Sequence, residues 1–110
     1  MEVPVEIDFQ GMPASEKISA RVREWVGKLE HKYPRITACR VAMKGPGQHH
    51  RSGALYEVNI RVALPDGREV NVERTAQADE RHADLDFAVN DAFRRAQRQL
   101  QDHVRQLQDK

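Results

Sequence analysis

Lys17, Arg21, Lys28 and Lys32 stand at i, i+4, i+11 and i+15, and at 100° per residue of a helix that spacing confines them to an arc of roughly 60°. Arg94, Arg98 and Arg105 share a second arc of roughly 40°, with Arg95 beside it and the apolar residues of the same segment nearly opposite. Ammonium and guanidinium groups in aligned rows suit phosphate, which the arginine fork grips through two parallel hydrogen bonds. Arg40, Lys44, His49, His50 and Arg51 supply a third basic element, within a stretch from 34 to 53 that carries four basic residues and no acid. The competing reading is a set of solvated helix faces, since Glu24, Asp91 and Asp102 lie within one turn of the cations and can form exposed pairs with them. Three separated elements of one sign favour an anionic partner instead. Aromatic residues make up only 5% of the chain, so recognition of a structured RNA by backbone and shape is expected over stacking on single-stranded bases.

Catalytic constellations are missing. The chain has no Gly-x-Ser-x-Gly, no glycine loop placed to cradle phosphate ahead of a helix and no His-Glu-x-x-His. Asp84 and Asp86 open a helical segment, where acids complement the N-terminal dipole. His49 and His50 are adjacent in a loop, a spacing that seldom closes on one metal ion. Cys39 falls on the inward side of a strand pattern and reads as a small buried hydrophobe, not a nucleophile. Neither enzymatic activity nor a cofactor is expected, and a metal-dependent enzyme built on the two histidines is the remote alternative.

The elements that position these residues follow from hydrophobic period. Val3, Val5, Ile7 and Phe9 alternate with polar neighbours as in a strand with one buried face, and Pro4 suits an edge. Gly11-Met12-Pro13 breaks that strand, Ser15 offers an N-cap, and Ile18, Val22, Trp25, Val26, Leu29 and Tyr33 make one helical stripe ended by Pro34. A second strand is expected from about Ile36 to Lys44, a polar loop over Gly45–Gly53, a third strand from about Ala54 to Leu64, a tight turn at Pro65-Asp66-Gly67-Arg68 and a fourth strand around Val70 and Val72. After an acidic linker, a long helix from about Ala83 carries Leu85, Val89, Ala92, Phe93, Ala96, Leu100, Val104 and Leu107. The order β-α-β-β-β-α predicts an α+β fold of two layers: a four-stranded mixed sheet, its first two strands parallel by a right-handed crossover, with two helices on one face. This topology approximates that of a double-stranded RNA-binding domain with an added strand.

Length and composition agree. One hundred and ten residues with 39% hydrophobic and 32% charged side chains make one domain over 1–110, its last few residues a frayed helical tail. The net charge of +1 conceals segregation: −3 over residues 1–14, +4 over 34–53, −3 over 75–86 and +2 over 87–110. No apolar run reaches the roughly 18 residues of a membrane span, the N-terminus is acidic, and a single cysteine fits a reducing compartment, so a soluble cytoplasmic protein is expected.

Several short motifs, in order, give the chain a resemblance. They are Lys28-Leu29-Glu30, the run from His49 to Val58, Pro65-Asp66-Gly67, Asp84-Leu85, Ala88-Val89 and the run from Ala92 to Leu100. From Val3 to about Leu107 the chain resembles the ribosome hibernation promoting factor and ribosome-associated inhibitor family, also called ribosomal subunit interface or sigma modulation proteins. The resemblance implies the same fold, no enzymatic activity, and binding to small-subunit rRNA in the channel used by messenger and transfer RNA, which silences idle ribosomes under stress or in stationary phase. It carries RNA-contacting roles to Lys28, and to Arg95 and Arg98 of Arg-Ala-Gln-Arg-Gln-Leu, where members have a Lys-Leu-Glu-Arg-Gln-Leu-like segment. Lys32, Arg40, Arg51 and Arg94 join them on patch geometry alone. Asp86-Phe87 replaces a tyrosine and alanine of many members, and Ala96 a leucine, so local helix packing is expected to differ. Because the chain stops just past the last helix it resembles the short class, for which direct pairing of two ribosomes is not expected. A module for other structured or double-stranded RNA is the second reading, and self-association through the open sheet face is a further option.

Overall fold

The structure, a computed structural model, describes residues 3–45, 56–73 and 84–108. The elements run β1 (Val5–Gln10), α1 (Glu16–Lys32), β2 (Ala38–Lys44), β3 (Glu57–Ala63), β4 (Glu69–Val72) and α2 (Leu85–Gln108), in the expected order. The sheet has strand order β1-β2-β3-β4, parallel between β1 and β2 and antiparallel thereafter. Arg51, His49 and His50, with the rest of 46–55, lie outside the described residues, as do residues 74–83 of the acidic linker.

Local chemistry explains the boundaries. Ser15 caps α1 by accepting from the Ile18 N–H at 3.3 Å, and Asp84 caps α2 through Oδ1, which accepts from the N–H groups of Asp86 at 2.9 Å and Phe87 at 3.4 Å. Strand β2 begins two residues later than expected, because the Ile36 N–H turns back to the Tyr33 carbonyl and commits that residue to closing the Pro34-Arg35 turn. Asp66 (φ 65°) and Gly67 (φ 72°) take successive left-handed conformations that reverse the chain between β3 and β4, which is why an Asp-Gly pair sits there. At Gly45 the constraint is space: a Cβ would stand 2.9 Å from the Gly11 carbonyl oxygen, where the end of β2 crosses the β1–α1 link.

One face of the sheet carries Cys39, Val41 and Met43 of β2, Val58, Ile60 and Val62 of β3, and Val70 and Val72 of β4, all buried. Ile18, Val22, Val26 and Leu29 of α1 and Ala88, Val89, Ala92, Phe93, Ala96 and Leu100 of α2 close over it. Helix α2 lies across β3 and β4 while α1 leans on β1. The other face is polar and open, with Glu6, Arg40, Lys44, Asn59, Arg61 and Asn71 exposed. Edge strand β1 is the least enclosed, its Val5, Ile7 and Phe9 only half-buried.

Phe93 has no exposed surface and the core surrounds it, so Phe93→Ala is expected to cost about 3–5 kcal/mol. Asp84→Ala, which removes only a cap, is expected to cost about 1 kcal/mol. Urea unfolding should show both as lowered midpoints at unchanged slope.

Candidate nucleic-acid interface

The two helices meet along a seam of specific contacts. Arg21 Nε lies 3.4 Å from Asp86 Oδ1. One turn on, the Trp25 indole N–H donates to Asn90 Oδ1 at 2.7 Å, and its ring stacks on Phe93 with centroids 5.6 Å apart and planes within 6°. Position 21 faces 86 and position 25 faces 90 and 93, so the helices run in the same direction. By helical repeat from these contacts, the next turns set Lys28 and Lys32 of α1 and Arg94 and Arg98 of α2 on the same side of the seam, as the two lips of one groove. Counted from Asn90 at 100° per residue, Arg94, Arg105 and Arg98 stand roughly 40°, 60° and 80° toward solvent.

The two lysines of the α1 lip sit over aromatic faces. Lys28 Nζ sits 5.2 Å from the Trp25 ring centroid and Lys32 Nζ 5.8 Å from that of Tyr33, both within cation–π range. Among the described residues no carboxylate pairs with Lys28, Lys32, Arg94 or Arg98. Three of the acids near the helices are paired elsewhere, Asp86 and Glu24 with Arg21, the latter at 3.9 Å, and Asp91 with Arg95 at 3.2 Å, while Asp102, one turn past Arg98, is exposed. Asp86 thus does more than complement a helix dipole; it neutralises one cation of the α1 row, at the end of the seam away from Lys28 and Lys32.

Two other residues singled out from the sequence go to different places. Arg95 stands roughly 140° from Asn90, on the flank of α2 away from the groove. Its exposed pair with Asp91 contributes at most about 1 kcal/mol, which leaves the guanidinium open to exchange of partner. Arg40 lies on the open face of the sheet, opposite the helices, 3.6 Å from Glu6. It faces Arg61 directly across β2 and β3, and Arg61 in turn pairs with Glu69 at 3.4 Å. Lys28, Lys32, Arg94 and Arg98 are therefore brought together, and Arg40 is not among them.

Sequence reasoning passed over Arg35, Arg68 and His103 as members of one cluster, yet the fold sets them with Lys32 around a recess at the C-terminal end of α1. The signal was topological: in an antiparallel β2–β3–β4 meander the β3–β4 turn must lie beside the start of β2, here with Ala38 opposite Ala63. No group of three or more His, Cys, Asp or Glu residues is arranged to hold a metal ion among the described residues, and Cys39 is buried, which pushes its thiol up to about 11. No helix among the described residues is long and apolar enough to cross a membrane.

A family model described as Sigma 54 modulation protein / S30EA ribosomal protein matches residues 5–108. Among solved structures, the chain is similar to the N-terminal domain of Protein Y from Thermus thermophilus, at 19% identity and a TM-score of 0.47, over 89% of this chain and 98% of that one. No curated protein matches it.

The buried thiol makes a pH-dependence. Its ordinary value of 9.0 applies when unfolded and about 11 when folded, so above pH 9 the unfolded chain sheds a proton that the native one keeps. Stability is therefore expected to be unaffected by this group below pH 9 and to fall between pH 9 and 11, by roughly 2–3 kcal/mol. Denaturant melts of wild type and Cys39→Ala across that range check it: the wild-type decline should be the steeper.

Proposed function

The chain belongs to the sigma 54 modulation protein / S30EA ribosomal protein family, whose members are ribosome-associated modulation factors, and from that membership we propose that it docks on small-subunit rRNA and occludes the path of messenger and transfer RNA. In this reading it silences idle ribosomes under stress or in stationary phase, and works in the cytoplasm where they are. The observation that carries it is the groove whose two lips present Lys28 and Lys32 opposite Arg94 and Arg98 with no carboxylate partner among the described residues.

Physical chemistry says why such a groove suits RNA. Four cations on two parallel rods follow a phosphate chain, and each neutralised phosphate releases condensed counterions, a gain that vanishes as salt rises. A-form RNA hides its base edges in a deep groove, so contact through phosphate and sugar is the accessible mode. Arg95 adds to this surface by exchanging Asp91 for a phosphate. Arg51 belongs to the same reading through its acid-free stretch, while Arg40, across the sheet, serves it only if RNA wraps past the β1 edge.

Cosedimentation with small subunits over a salt series tests the proposal. The double variant Arg94→Ala/Arg98→Ala should weaken binding and flatten the plot of log affinity against log salt by about 2 units, one for each phosphate that is no longer neutralised. An unchanged slope overturns the role given to these residues. Equal competition by a free RNA duplex would instead make the chain a general structured-RNA module.

A further inference from the structure

Where α1 ends, the β3–β4 turn and the second half of α2 enclose a recess of about 260 Å³. Its walls are apolar: the half-buried Tyr33, Leu64 and Val104 and the buried Leu100. Its rim carries three exposed cations, Lys32, Arg35 and Arg68, beside the half-buried His103; Asp66 is the one acid among its lining residues. Lys32, Arg35 and Arg68 pair with no carboxylate among the described residues. At about 260 Å³ the space falls below the roughly 300–1,000 Å³ of sites for whole drug-sized molecules. It matches one flat ring system whose charged attachments stay outside.

We propose that this recess receives a single unstacked base of the RNA whose backbone runs along the helix groove. The inference rests on the RNA-binding reading and adds to it a point of base contact. Continuity and charge both argue for that occupant: Lys32 belongs at once to the groove lip and to the rim, so a strand leaving Lys28 and Lys32 reaches the recess without a gap. An apolar hole ringed by cations takes a base inside and its 5′ and 3′ phosphates on the rim. Tyr33 supplies the aromatic surface that splayed bases stack upon. An apolar side chain of an acidic protein shares part of this chemistry, but it has no need of the lysine pair leading to the recess.

Backbone-amide NMR on the full chain decides between them, with three probes: pentaadenylate, an abasic pentanucleotide of the same charge, and an acidic peptide carrying one phenylalanine. Pentaadenylate should shift the amides of Tyr33, Leu64, His103 and Val104 and bind about 10-fold more tightly than the abasic strand, which should shift only the groove residues. Val104→Phe, which fills the recess, should remove that difference while leaving abasic binding unchanged; Arg68→Ala, on the exposed rim, should reduce it without threat to folding. If both strands move the groove and neither moves the recess, the base site is wrong and the RNA reading stands. If neither strand moves the groove, the RNA reading falls and the base site with it. A larger recess shift with the acidic peptide than with pentaadenylate overturns the proposal in favour of a protein partner.

Discussion

The indole of Trp25 sets how the two helices sit against each other. It stacks on Phe93, donates to Asn90 and lies under the ammonium of Lys28, so one side chain joins the hydrophobic core to the charged surface. Stacking fixes the depth at which α1 meets α2, and the hydrogen bond fixes their register along the axis. Rotate either helix by one residue, about 100°, and Lys28 and Arg94 no longer share a groove. The alignment of cations is thus a consequence of packing, while repulsion between them opposes it.

That repulsion is managed by where the carboxylates stand. Asp86 and Glu24 are gathered at Arg21, near the start of the seam, and Asp91 lies on the outer flank of α2 with Arg95. These pairs lower the total charge of the helix pair, while Lys28, Lys32, Arg94 and Arg98 pair with no carboxylate among the described residues. A surface divided in this way concentrates its field over a short length, which a uniform mixture of the same residues could not do. A net charge of only +1 therefore says little about what a polyanion meets on approach.

Much of this was legible before any coordinates, and for physical reasons. Alternation in Val58, Ile60 and Val62 and the helical stripe from Ile18 to Leu29 record burial on one face, so strands, helices and their order could be read directly. Ser15 announced its cap by type and position. Ion-pair choice was only partly legible: Asp91 with Arg95 is an i, i+4 pair visible in spacing, whereas Arg21 with Asp86 spans 65 residues and depends on the Trp25 seam. Arg40 teaches a different lesson. Strand parity with Cys39, Val41 and Met43 inward already assigned it to the face away from the helices, yet grouping basic residues by charge alone joined it to them. The recess at Tyr33 needed three elements distant in sequence, and no local period reports such a meeting.

The polar row on the outer face of the sheet bears on how the protein behaves in company. Arg40 and Arg61 oppose each other at its centre, and Glu6 and Glu69 flank them on the two outer strands. Cross-strand arginines repel, so the flanking glutamates steady the middle; they also leave both borders of the sheet rich in acid, with Asp8 beside Glu6 and Glu73 following Glu69. Any two molecules that tried to extend one sheet into the next, border to border, would bring carboxylates against carboxylates. The same glutamates that steady the arginines thus set like charge against like charge wherever two such borders meet.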